Sequence, residues 1–204
     1  MPTVISSVEG NRQSLDGGAM FGNVPRPMWE KWLKPDPQGR IQLACRSLLI
    51  ECDGLRILCD TGIGAFFEPK LRERFGVAEP DHRLLFPKAR YVIGTGAFAR
   101  AEAPHFRDRA SFIPGMVEKL KASGRLTLVS GEKLDDLLPD RLRFLYTSGH
   151  TPDQIHVVFR GDHDTVLFAG DLVPGIAWVH LPVTMGYDRF PEQLIDEKKQ
   201  LYAE

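Results

Sequence analysis

Two β-hairpins limit what this 204-residue chain can become more than any other feature. Ile41 to Cys52 reads as a strand, Asp53-Gly54 as a two-residue turn, and Leu55 to Cys59 as the returning strand. Asp-Gly suits that turn because both of its residues take positive φ, which matches the twist of the flanking strands. Farther along, Ile155 to Arg160 and Thr165 to Ala169 flank Gly161-Asp162-His163-Asp164 as a second hairpin. Shorter strands are expected at Arg90 to Gly94, Leu126 to Val129 and Leu142 to Tyr146. Apolar spacing predicts helices at Phe67 to Phe75, Ala97 to Ala103, Ile113 to Ser123 (stopped by Gly124) and Pro191 to Tyr202. The first forty residues carry little periodicity; Pro25, Pro27, Pro35 and Pro37 break them, and Met28 to Leu33 forms a helical turn or two. The pattern is a mixed α/β chain with largely non-βαβ connections, as in layered sheets flanked by helices.

Composition narrows the function classes. At 22.9 kDa, with 43% hydrophobic and 26% charged residues, the chain is expected to form one globular domain over 1–204. The 26 basic and 27 acidic residues nearly cancel, to a formal charge of -1, so neither nucleic acid nor an anionic membrane is an expected partner. No apolar run approaches the roughly 18 residues of a spanning helix, and the N-terminus lacks the basic start and apolar run of a secretory signal. Cys45, Cys52 and Cys59 are odd in number and crowded together, which argues against a disulfide framework and for the cytoplasm. Oligomeric state is not readable from these features.

Chemistry-bearing residues gather where strands end. In Tyr146-Thr147-Ser148-Gly149-His150-Thr151-Pro152-Asp153-Gln154, Gly149 permits a tight turn, His150 stands at its tip and Pro152 stiffens the backbone just beyond it. Leu167-Phe168-Ala169-Gly170-Asp171 is an apolar strand ending in an aspartate. A histidine and a carboxylate from adjacent strand ends are normal partners for zinc or another divalent metal. Each residue alone is equally readable as a turn histidine or an N-capping aspartate. Asp60, in Asp60-Thr61-Gly62, stands open in the same way between turn residue and site residue.

Together, D-T-G at 60–62, S-G-H-T-P-D-Q at 148–154 and F-A-G-D at 168–171 resemble, in order and spacing, the metallo-β-lactamase-fold hydrolases, most closely the branch of small-molecule lactonases. L-D-G-G-A-M-F-G at 15–22, F-P-K-A-R-Y-V at 86–92 and H-L-P-V-T-M-G-Y-D at 180–188 extend the likeness over nearly the whole chain. The resemblance implies a four-layer αββα sandwich with its metal site at one edge, between the two sheets. It implies His150 as a metal ligand, Asp171 as a carboxylate bridging two ions, and Asp60 as a nearby aspartate that orients its neighbours. The implied activity is metal-dependent hydrolysis of a small ester, lactone or related carbonyl substrate, with zinc the expected ion; such a metal lowers the pKa of bound water and polarises the carbonyl. Met20, Phe21 and Tyr187 are candidates to line the substrate pocket, with core packing as the alternative.

The chain departs from that pattern in two places. No His-x-His pair occurs, so the family's H-x-H-x-D-H motif is missing, and Phe75-Gly76-Val77-Ala78-Glu79 runs directly into Pro80-Asp81-His82. The missing stretch amounts to a helix, a strand and their loops, roughly 30 to 50 residues. The histidine that the family carries beyond a helix like Pro191 to Tyr202 is also missing. His82, His105, His156, His163 and His180 lack ligand spacing, and none is assigned to metal. A catalytic zinc takes three protein ligands plus water, so His150 and Asp171 alone do not suffice. Loss of a strand would leave a raw sheet edge, and the expectation is that the complete protein carries segments beyond these 204 residues. The alternative is a catalytically degenerate member of the fold that serves as a binding module.

Overall fold

The computed structural model describes residues 3–61, 84, 86–131 and 140–203. The predicted helix at 67–75 and the Asp81-His82 pair lie outside them. The chain opens with β1 (Val4–Asp16), β2 (Arg40–Cys52) and β3 (Leu55–Cys59), an antiparallel sheet in that spatial order. The Asp53-Gly54 hairpin forms as expected, with φ of 49° and 79°. Strand β1 was not legible in the sequence. Among the described residues it pairs with β2 alone, and its burial does not alternate, because the register shifts between Glu9 and Arg12.

Strands β4 (Tyr91–Gly94) and β5 (Leu126–Val129) pair in parallel. They are connected through α3 (Thr95–Glu102) and α4 (Met116–Ala122), the one described crossover in a chain otherwise built from antiparallel neighbours. Strands β6 (Leu142–Thr147), β7 (Gln154–Arg160) and β8 (Thr165–Phe168) form a second antiparallel sheet with β7 in the middle. The central position explains why the four residues from His156 to Phe159 are all buried. Helix α5 (Pro191–Leu201) ends the described chain, while α1 (Gly17–Phe21) and α2 (Arg26–Trp29) are short elements between β1 and β2.

Apolar residues from the sheets share one core. Ile50, Cys52 and Cys59 of the first sheet meet Leu142, Phe144, Val157 and Phe159 of the last, with Val129 of β5 among them. The three cysteines are free thiols, and burial pushes the Cys59 thiol up to about 12, so it packs as a small hydrophobe. A second cluster is aromatic. Phe21 stacks on Trp178 at 4.5 Å and on Trp29 at 5.3 Å, with Met20, Ile41, Val183 and Met185 around them. No helix among the described residues is long and apolar enough to cross a membrane.

Candidate metal centre

Antiparallel topology brings the two sequence-predicted ligands together. The turn from β6 to β7 lies at one edge of the sheet, since Thr147 pairs with Gln154. Strand β8 runs opposite to β7, with Phe168 beside Val157, so its end returns to the same edge. His150 sits in that turn and Asp171 just beyond β8, in a short 3-10 turn at Gly170–Leu172. Gly170 holds φ at 49°, in the left-handed region, as the chain leaves the strand. The result is 3.2 Å between His150 Nε2 and Asp171 Oδ2.

The His150 turn is clamped from several directions. Both oxygens of Glu197 on α5 accept backbone N–H groups, from Ser148 at 2.8 Å and from Gly149 at 3.0 Å. The Gly149 carbonyl accepts from Phe190 N at 2.7 Å. A Cβ at position 149 would lie 2.5 Å from Leu194, so only glycine allows the turn to sit this close to the helix. On the opposite side, Asp153 accepts from Gly96 N at 2.9 Å, tying the turn to the start of α3.

The second ring nitrogen has its own carboxylate. His150 Nδ1 lies 2.8 Å from Oδ1 of Asp188, a residue only 1% exposed. The other oxygen of Asp188 accepts from Met185 N at 2.6 Å. Lys198, fully buried on α5, donates to the carbonyls of Val183 at 2.8 Å and His180 at 3.2 Å. Burial pulls the Lys198 ammonium pKa down, and Asp188 opposes that pull. Arg107 fixes the same segment by donating to the carbonyls of Gly186 and Asp188, and Arg189 pairs with Asp108.

These surroundings set the charge of the site. Burial works against a charged His150, but hydrogen bonds and charges from Asp171 and Asp188 outweigh it and raise the ring's pKa to about 9. Burial alone would raise the Asp171 pKa; His150 overrides it and holds the carboxylate below its ordinary range. Asp171 stands among many protein atoms yet leaves 58% of its side chain accessible.

The pair fits one edge of a metal's coordination sphere. Two donor atoms each about 2.1 Å from one divalent ion, at tetrahedral or octahedral angles, lie about 3.0 to 3.4 Å apart. The observed 3.2 Å falls in that range, and the Asp188 carboxylate on the far nitrogen is the usual support for a ligating histidine. Asp188 itself faces away from the shared edge. Among the described residues no group of three His, Cys, Asp or Glu side chains converges as a ligand set.

The remaining sequence candidates are placed differently. Asp60 ends β3 in the left-handed region, with φ of 65°. Met20 and Phe21 are 4% and 0% exposed within the aromatic cluster and present no surface there to a substrate. Tyr187 is 46% exposed beside Asp188. His180 stacks on Trp32 and His105 Nδ1 accepts from Arg107 N. Sequence reasoning missed Asp188, Glu197 and Lys198. Asp188 ended the H-L-P-V-T-M-G-Y-D segment without being singled out, and Lys198 left a signal as a lysine four residues after Leu194 on the apolar stripe of α5.

The metallo-beta-lactamase superfamily model matches residues 69–202. A probable metal-dependent hydrolase from Staphylococcus aureus superposes with a TM-score of 0.86 at 22% identity, covering 98% of this chain and 83% of that one. AidC, a dizinc quorum-quenching lactonase in complex with a product, gives a TM-score of 0.75 at 16% identity, with 98% and 83% covered. An N-acyl homoserine lactone hydrolase with N-hexanoyl-L-homoserine bound at its catalytic metal centre gives 0.67 at 16% identity, with 100% and 89% covered. No curated protein matches the sequence.

Proposed function

The chain belongs to the metallo-beta-lactamase superfamily and has its fold, and from that premise we propose that it is a metal-dependent hydrolase of small lactones or esters. One observation carries the reading: His150 Nε2 and Asp171 Oδ2 converge to 3.2 Å while a buried carboxylate occupies the other ring nitrogen. His150 and Asp171 would hold a divalent ion, zinc being the expected one, and Asp171 is assigned as the carboxylate a second ion would share. When bound, such an ion supplies an acidified water and polarises the substrate carbonyl. Asp171 also leaves much of its side chain accessible to an incoming substrate. Asp60 is assigned to orienting neighbouring groups, and the exposed ring of Tyr187 to contacting the substrate. The lactone hydrolases among the structural neighbours favour a lactone as the first substrate to try.

A second reading, a degenerate binding module, is favoured by the absence of a third converging ligand among the described residues. Zinc content per chain, measured alongside hydrolysis of N-hexanoyl homoserine lactone, separates the two. The hydrolase reading expects bound metal and a rate that is lost to a chelator and restored by zinc. Asp171→Ala then abolishes turnover and lowers metal content with the fold kept, and His150→Ala weakens metal binding. A folded chain that takes up no zinc and cleaves neither lactone nor ester leaves the binding module standing.

A further inference from the structure

We propose that Asp188 is a positioning residue that holds His150 in a single tautomer, its proton on Nδ1 and its Nε2 lone pair turned toward Asp171. The metal consequence rests on the hydrolase reading; the tautomer itself does not. When the ring is neutral, two carboxylates compete for its one proton. Asp188 has the shorter contact, 2.8 Å against 3.2 Å, and it is 1% exposed, whereas 58% of the Asp171 side chain meets solvent. A carboxylate shut away from solvent depends on its protein donors more than one whose side chain is largely accessible. The proton therefore stays with Asp188.

Asp188 is itself immobilised. Met185 N holds Oδ2 at 2.6 Å, so Oδ1 is the oxygen left for the ring. Lys198 lies within the same buried network and anchors the 180–183 segment through two carbonyls. Helix α5 thus holds both partners, the His150 turn through Glu197 and the Asp188 segment through Lys198, on consecutive residues. With the neutral ring fixed in this way, Nε2 is the nitrogen left to accept a metal, and no tautomer change is needed.

Substituting asparagine tests the inference sharply. In Asp188→Asn the amide oxygen remains on Met185 N, and the amide N–H then faces His150 Nδ1. That donor forces Nδ1 to become an acceptor and moves the proton to Nε2, opposite Asp171. Long-range 15N–1H NMR of the metal-free chain, with pH raised until His150 is neutral, reads the tautomer directly. The wild-type ring should carry its proton on Nδ1, Asp188→Asn should carry it on Nε2, and Asp171→Asn should resemble wild type. Zinc affinity, from competition with a chromophoric chelator, should fall about 10- to 100-fold in Asp188→Asn. A wild-type ring protonated on Nε2, or an Asp188→Asn ring unchanged from wild type, overturns the proposal. If Asp188→Asn fails to fold, the wild-type and Asp171→Asn spectra still decide it. If wild type takes up no zinc, the hydrolase reading falls, and the tautomer alone upholds or overturns the role of Asp188.

Discussion

His150 and His156 lie six residues apart, both within electrostatic reach of Asp171, yet the fold drives them in opposite directions. His150, in the β6–β7 turn, is raised to about 9 because two carboxylates together outweigh its burial. His156, on the central strand β7 and 1% exposed, is lowered to about 4, and burial is the leading cause. Its Nε2 lies 2.7 Å from the Thr147 hydroxyl, and its Nδ1 finds only loose approaches to the Phe168 and Ala169 carbonyls. Both rings are buried, so burial does not distinguish them. Acidic partners do, and those partners come from the end of β8 and from the segment before α5, far away in sequence.

The contrast predicts a two-sided pH profile for the metal-free chain. A folded pKa of about 9 against an ordinary 6.5 means that His150 stabilises the fold fully below pH 6.5 and loses that contribution as pH rises through 9. For His156 the folded value is depressed from 6.5 to about 4, so its contribution is complete above pH 6.5 and declines as pH falls toward 4. Stability should peak near pH 6.5 and fall on each side by up to about 3 kcal/mol. Urea denaturation midpoints across this range measure it. A profile flat from pH 6.5 to 9 would show that the two carboxylates do not hold a proton on His150.

His156→Phe sharpens the comparison by removing one limb. The ring volume is nearly kept and the titrating nitrogens are lost, so the decline below pH 6.5 should shrink while the alkaline limb persists. The Thr147 hydroxyl loses its partner, at a cost of about 1 to 2 kcal/mol at neutral pH. An unchanged acid limb would assign it to other groups.

Legibility in the sequence followed the same division between local and distant causes. The Asp53-Gly54 hairpin, strands β3 and β5, and helix α5 were readable because turn chemistry and apolar period act over a few residues. Helix α4 begins at Met116, not Ile113, because Gly115 stands in the left-handed region at φ 75°. Strand β1 was hidden because, among the described residues, it pairs on one side only, and the irregularity between Glu9 and Arg12 erased its period of two. The metallo-β-lactamase fold was legible through motifs rather than periodicity, and the same motifs singled out His150 and Asp171, whose side chains the fold brings to 3.2 Å. Asp188 stood at the end of the H-L-P-V-T-M-G-Y-D segment, but its role did not show, since a partner 38 residues from His150 is defined only by the closed fold.

The smallest predicted effect tests whether the His150 turn is held from outside, while His156 is held by its own strand ladder. Glu197→Gln keeps one oxygen for one of the two N–H groups at Ser148 and Gly149 and turns an amide N–H toward the other. One backbone donor then loses a charged acceptor, a loss of about 1 to 2 kcal/mol. The local consequence is the more telling one. Amide hydrogen exchange at Ser148 and Gly149 should quicken, while the β7 amides from His156 to Phe159, bonded to β6 and β8, should keep their protection apart from the small global change. Equal acceleration in both places would mean that the turn and the strand open as one unit, and that α5 clamps the whole sheet rather than the turn that carries His150.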